Sequence, residues 1–140
     1  MKIASLAVAK TAFLHLKGPD GTLLYDGKNK VGIDLYSPGS PEFSRVDERQ
    51  TARAIKRMQD NDNKISAAPA DERRAEGAED LADLTAAFHH IEHDGADGKP
   101  LQGRPLHVAV YSDPELGWII PQVNKMVNDW GKFTPGSTGK

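Results

Sequence analysis

An α+β domain is predicted from three observations. Apolar residues alternate cleanly through 30–36, a Gly18-Pro19-Asp20-Gly21 turn precedes them, and beyond Pro38-Gly39 apolar residues recur at helical spacing. The expected architecture is an N-terminal three-stranded antiparallel β-meander over 11–36 followed by about three α-helices, mainly helical overall. Residues 1–133 are expected to form a single domain, with helices at about 41–60, 71–93 and 114–131, and 134–140 as a disordered tail.

The first strand covers Thr11 to Lys17, with Ala12, Leu14 and Leu16 on one face. In the turn that follows, proline presets φ, aspartate tolerates a tight turn and glycine accepts positive φ. Thr22 to Tyr25 is the return strand, and the Asp26-Gly27-Lys28-Asn29 turn leads to Lys30–Tyr36, where Val31, Ile33 and Leu35 share a side.

Ser40-Pro41-Glu42 then opens a helix, with Ser40 as N-cap and Pro41 at the first helical position. Phe43, Val46, Ala54 and Met58 fall on its apolar face. A polar linker, Asn61 to Pro69, is expected to be mobile. In the second helix Leu81, Leu84, Phe88 and Ile91 lie within an arc of about 80°. Gly77 weakens its first part and Gly95 ends it. Leu106–Tyr111 fits either a strand or a short helix. Asp113-Pro114-Glu115 starts the third helix, whose apolar positions run from Ile119 to Trp130, and Pro121 within it implies a kink or a restart.

Composition narrows the function classes. The 140 residues are 38% apolar, enough for one modest core, and carry 18 Lys+Arg against 20 Asp+Glu. A generally basic nucleic-acid wrapper and an acidic solvating tail are both excluded. No apolar run approaches the length of a membrane-spanning helix. With no cysteine there is no disulfide, thiolate metal site or cysteine nucleophile. The apolar run Ile3–Ala9 has only seven residues before Lys10, the short limit for a secretory signal, so the cytoplasm is the expected location.

No catalytic set is legible: there is no G-x-S-x-G and no glycine-rich phosphate loop. His89 and His93 would stand i, i+4 on a helix, a spacing that holds zinc if His107 or Asp94 supplies a third ligand, but a solvated helix end explains them as well. Neither a metal nor a cofactor is expected.

Arg45, Arg49, Arg53 and Arg57 form a ridge that suits phosphates or an acidic partner, yet no aromatics interleave it, so nucleic acid is not the expected ligand. Residues 1–66 carry a net +3 and residues 67–140 a net −5, with Asp71, Glu72, Glu76, Glu79, Asp80 and Asp83 opening the second helix. Basic and acidic helices can pair within a subunit or between subunits, and head-to-tail self-association is one expectation. Trp118 lies about 180° from the apolar centre of its helix, so it is either an exposed anchor or is turned inward by the Pro121 kink or the preceding loop, whereas Trp130 falls on the core side.

The order of landmarks carries a further signal. Ala4-Ser5-Leu6-Ala7-Val8-Ala9 precedes Thr11-Ala12-Phe13-Leu14-His15-Leu16; Gly18-Pro19-Asp20-Gly21-Thr22-Leu23-Leu24-Tyr25-Asp26 and Asp34-Leu35-Tyr36-Ser37-Pro38-Gly39-Ser40-Pro41-Glu42-Phe43 follow. Leu81-Ala82-Asp83-Leu84-Thr85-Ala86-Ala87-Phe88, Gly98-Lys99-Pro100-Leu101, Tyr111-Ser112-Asp113-Pro114-Glu115-Leu116-Gly117-Trp118-Ile119 and Gly131-Lys132-Phe133-Thr134-Pro135-Gly136 complete the succession. Over nearly its whole length the chain resembles the tail assembly chaperones of long-tailed bacteriophages and prophages, small proteins encoded just before the tape measure protein.

That resemblance implies a non-catalytic protein that coats the apolar helices of the tape measure protein, helps tail tube protein polymerise around it, and leaves before the tail is finished. A homo-oligomer is expected from the charge asymmetry rather than from the resemblance. The chain departs from the family at Phe88-His89-His90, at Pro105-Leu106-His107-Val108 and at Pro121. Candidate contact residues are Phe88, Trp118, Ile119 and Met126, on the ground that a helical client offers i, i+3, i+4, i+7 anchors, together with the Arg45, Arg49, Arg53, Arg57 ridge. The alternatives are a structural tail tube or connector subunit and a small nucleic-acid-binding regulator using that ridge.

Overall fold

A computed structural model describes residues 1–61 and 69–135. The expected linker and tail therefore fall mainly outside the described residues. The fold is α+β: among the described residues, a three-stranded antiparallel sheet with four helices.

Strand β1 (Thr11–His15) pairs directly with β4 (Gly32–Tyr36), in register from Thr11 opposite Tyr36 to His15 opposite Gly32. The segment between them does not supply a middle strand. It folds out as a small two-stranded ribbon, β2 (Tyr25–Asp26) with β3 (Asn29–Lys30), turned by Gly27 at φ 63°. The third strand is β5 (Thr85–His89), on the other edge of β4, so the sheet order is β1-β4-β5. The expected meander over 11–36 thus supplies two of the three strands.

Helix α1 (Pro41–Asp60) begins as expected, with the Ser40 hydroxyl accepting from Phe43 N at 3.1 Å. Its apolar face is shorter than the periodicity implies. Val46 is buried and Phe43 packs on the core, but Ala54 and Met58 are exposed, because the second half of α1 rests on charged residues rather than on the core.

Helix α2 (Ala70–Asp83) ends ten residues before the expected His93. Thr85 stops it: its hydroxyl donates to Leu81 O at 2.8 Å, satisfying a carbonyl that a continued helix would have used. The chain then extends along the open edge of β4. The 3-4-3 spacing of Leu81, Leu84, Phe88 and Ile91 combines a helix, a strand and a loop. Pairing the buried strand β4 on its second edge outweighs local helical preference.

The ambiguous Leu106–Tyr111 lies in helix α3 (Gly103–Ser112), which packs along α2. The expected helix over 114–131 is three pieces: a 3-10 turn at Pro114–Leu116, helix α4 (Ile119–Val127) and a second 3-10 turn at Trp130–Phe133. Asp113 caps the first of these by accepting from Glu115 N at 3.0 Å. Pro121 stands in the first turn of α4, where its missing N–H has no partner to lose; the helix restarts just before it.

The core lies between the inward face of the sheet (Ala12, Leu16, Ile33, Leu35) and α2, α3 and α4, with Phe133 closing one end. Tyr111 is fully buried beside β5. Thr85 has one proton and gives it to Leu81 O, so at 2.7 Å the Tyr111 hydroxyl must be the donor to Thr85 Oγ1. Burial pushes the Tyr111 phenol far above its ordinary pKa, and the bond to Thr85 offsets only part of that.

Candidate partner-binding surface

The basic ridge and the acidic helix meet within one chain. Arg49 donates to Asp80 Oδ1 through Nε (3.0 Å) and Nη2 (2.7 Å), and to Asp83 at 2.7 Å. Arg53 reaches both Asp80 oxygens, at 3.0 and 2.6 Å, and Gln50 adds a bond at 3.1 Å. Arg57 pairs with Glu76, and Arg104 from α3 holds Asp83 at 3.1 Å.

Burial alone would raise the Asp80 carboxyl, but the bonds from Arg53, Gln50 and Arg49 outweigh it and hold the group below the ordinary carboxylate value. Arg57 holds Glu76 low in the same way. Three of the four ridge guanidinium groups are therefore engaged by α2, while Arg45 only approaches Glu42, at 3.7 Å along its own helix. The charge asymmetry that suggested head-to-tail association is answered inside the subunit.

The histidines are likewise engaged separately. His89 lies on β5 and bonds Asp34 of β4 at 2.7 Å. His93 lies in the following loop, so the two do not share a helix face. Gly95 N donates to His93 Nδ1 at 3.0 Å, which leaves the proton on Nε2, facing Asp113 at 3.2 Å. That bond holds Asp113 below its ordinary value. Among the described residues, no three His, Cys, Asp or Glu side chains are grouped so as to hold a metal ion. His107 is buried against Phe88, and desolvation lowers its pKa, with Arg104 adding to the effect.

The four apolar contact candidates are structural here. Ile119 and Met126 are buried in the core, Phe88 packs edge-on against Tyr111, and Trp118 is half-buried against the core. Of the two alternatives for Trp118 the inward one holds, and Trp130 departs from its expected core side. Trp118 precedes α4 rather than lying within it, so the preceding turn sends its ring inward. Trp130 lies beyond the end of α4 and is 56% exposed.

What sequence reasoning missed is the exposed apolar surface. Residues 1–7 are all exposed and form an arm with a 3-10 turn at Ile3–Leu6. Ile3 (75% exposed) and Leu6 (62%) are three apart, and the 3-10 period stacks them on one side. The arm joins the body where Ala9 N donates to Phe133 O at 2.8 Å, and Val8 and the Trp130 ring meet over Gly39. The apolar run Ile3–Ala9, read only as a failed secretory signal, was the available clue. Ile55 and Met58 add a separate exposed pair on α1.

Among the described residues, no helix is long and apolar enough to cross a membrane. Comparison of the chain with protein-family models, curated proteins and solved structures gives no match.

Proposed function

We infer that this chain is a non-catalytic assembly chaperone for long phage tails, working in the host cytoplasm on the tape measure protein and helping tail tube protein polymerise around it. The observation that carries the reading is the exposed arm: Ile3 and Leu6, with Trp130 at its base, offer apolar surface on a small chain whose core is otherwise closed. Contiguous exposed apolar groups are costly in a monomer and mark contact surfaces. The landmark order supports the same assignment. The contact set moves accordingly, from Phe88, Trp118, Ile119 and Met126 to the arm and Trp130, and self-association is proposed to use the same exposed groups.

The test is co-expression with the tape measure protein of the same phage or prophage. A soluble complex with many copies of this chain per client is expected. The triple variant Ile3→Ser, Leu6→Ser, Trp130→Ser should fold yet leave the client insoluble. An insoluble client with the unaltered chain overturns the reading. Mass spectrometry of purified tails should find the chain absent; its presence there would make it a structural subunit.

A further inference from the structure

Strand β1 is an edge whose outer hydrogen-bonding groups are used at both ends and open between. Leu16 N donates to Val31 O and Ser37 N to Lys10 O, so even-numbered residues of this stretch turn their backbone groups towards β4 and odd-numbered ones turn theirs outward. At one end Ala9 N donates to Phe133 O. At the other, the Gln122 side-chain amide from α4 binds Lys17 twice, Lys17 N donating to Oε1 at 2.9 Å and Nε2 donating to Lys17 O at 2.8 Å. Gln122 thus imitates one residue of a paired strand. Between these anchors the outward N–H and C=O groups of Thr11, Phe13 and His15 have no partner among the described residues. At about 3.4 Å per residue the open stretch is about 14 Å long.

A groove of about 670 Å³ runs beside it. Phe13 to His15 form one wall and Met126 of α4 the other, and the residues lining it include Lys17, Lys125 and Lys132 but no Asp or Glu. An apolar trough with an open strand on one side and a helix on the other suits an added strand, with main-chain bonds supplying affinity and side-chain pockets selectivity.

We propose that the groove between β1 and α4 takes an extended, acidic segment of a partner chain as a fourth strand, paired to Thr11, Phe13 and His15. Lys17 and Lys125 select the partner's charge. They also argue against a second copy as occupant, since that copy's own β1 edge, residues 9–17, carries Lys10 and Lys17 and no Asp or Glu. This site does not depend on the chaperone reading, and client solubility can fail while strand addition holds.

The experiment is a titration of the isotope-labelled full chain with capped hexapeptides, read by amide NMR and hydrogen exchange. A peptide alternating glutamate and valine should bind with a dissociation constant on the order of 0.1–1 mM, shifting and protecting the Thr11, Phe13 and His15 amides. The lysine–valine counterpart should bind at least about tenfold more weakly, and the variant pair Lys17→Glu, Lys125→Glu should reverse that order. Both lysines are exposed, so the variant folds. A glutamate–valine peptide N-methylated at alternate amides should not bind. No response at 11, 13 and 15, or equal binding by the N-methylated or the lysine peptide, overturns the proposal.

Discussion

Replacing Asp80 with alanine removes the acceptor of five donor contacts at once, from Arg49, Gln50 and Arg53. Asp80 is only 4% exposed, so nothing in water replaces it. Removing one member of a fully buried ion pair costs about 3–5 kcal/mol. Here the orphaned cations are partly solvated, with Arg49 and Arg53 side chains 39% and 24% exposed, and each keeps a second carboxylate, Asp83 at 2.7 Å and Glu76 at 3.7 Å. The expected loss is therefore near the lower limit, about 3 kcal/mol, or about 10 °C in Tm for a chain of this size. Urea unfolding followed by circular dichroism reads it directly. Asp71→Ala, at a side chain 98% exposed, is the control and should cost less than about 0.5 kcal/mol. A double-mutant cycle of Asp80→Ala with Arg53→Ala should give a coupling of about 1–2 kcal/mol. A loss for Asp80→Ala under about 1 kcal/mol, or no coupling, would refute the view that charge holds α1 to α2.

Three further outcomes follow from the same structure. Gly32→Ala should destabilise by more than about 2 kcal/mol in urea unfolding, because a Cβ there would stand 2.2 Å from Leu14 O and 2.3 Å from the Phe13 ring, and the Leu14 carbonyl is backbone that cannot step aside. Tyr111→Phe should cost about 1 kcal/mol, whereas Thr85→Val should cost about 2 kcal/mol, since it leaves the buried Tyr111 hydroxyl without its acceptor; equal losses would mean that the donor has been assigned wrongly. Stability should fall on the acid side: the native Asp80 and Glu76 carboxyls lie below their ordinary values, so their contribution is complete above about pH 5 and is lost as the pH drops through the lowered native values. A pH series of urea midpoints should show a shallower acid limb for Asp80→Ala than for the unaltered chain.

Local chemistry was legible where a few adjacent residues decide the outcome. Ser40-Pro41 opened α1 as read, and the alternation at Val31, Ile33 and Leu35 gave β4. Legibility failed where the deciding partner is remote. Thr85–His89 is a strand because β4 has a second edge to fill, and nothing between Leu81 and Ile91 announces that edge. Trp130 was misplaced because a helical wheel was extended past Val127, where α4 ends. The ridge of arginines and the acidic run were both visible, but their meeting depends on how α1 and α2 dock. The exposed arm was the hardest to read, since an apolar residue left outside looks in sequence like one that will be buried.

The way α1 docks bears on how the molecule would come apart. Its second half is held by guanidinium–carboxylate contacts over a surface from which Ala54, Ile55 and Met58 are already excluded. Lifting that half away exposes little new apolar area, so the step carries a small m-value and a small heat-capacity change. Urea and temperature would drive that step only weakly, although the ionic contacts still count in the free energy of complete unfolding, whereas added salt would weaken them by screening. The protein thus has two separable thresholds of cohesion, an oily one in the sheet and α3–α4 body, and an ionic one that answers to the electrolyte.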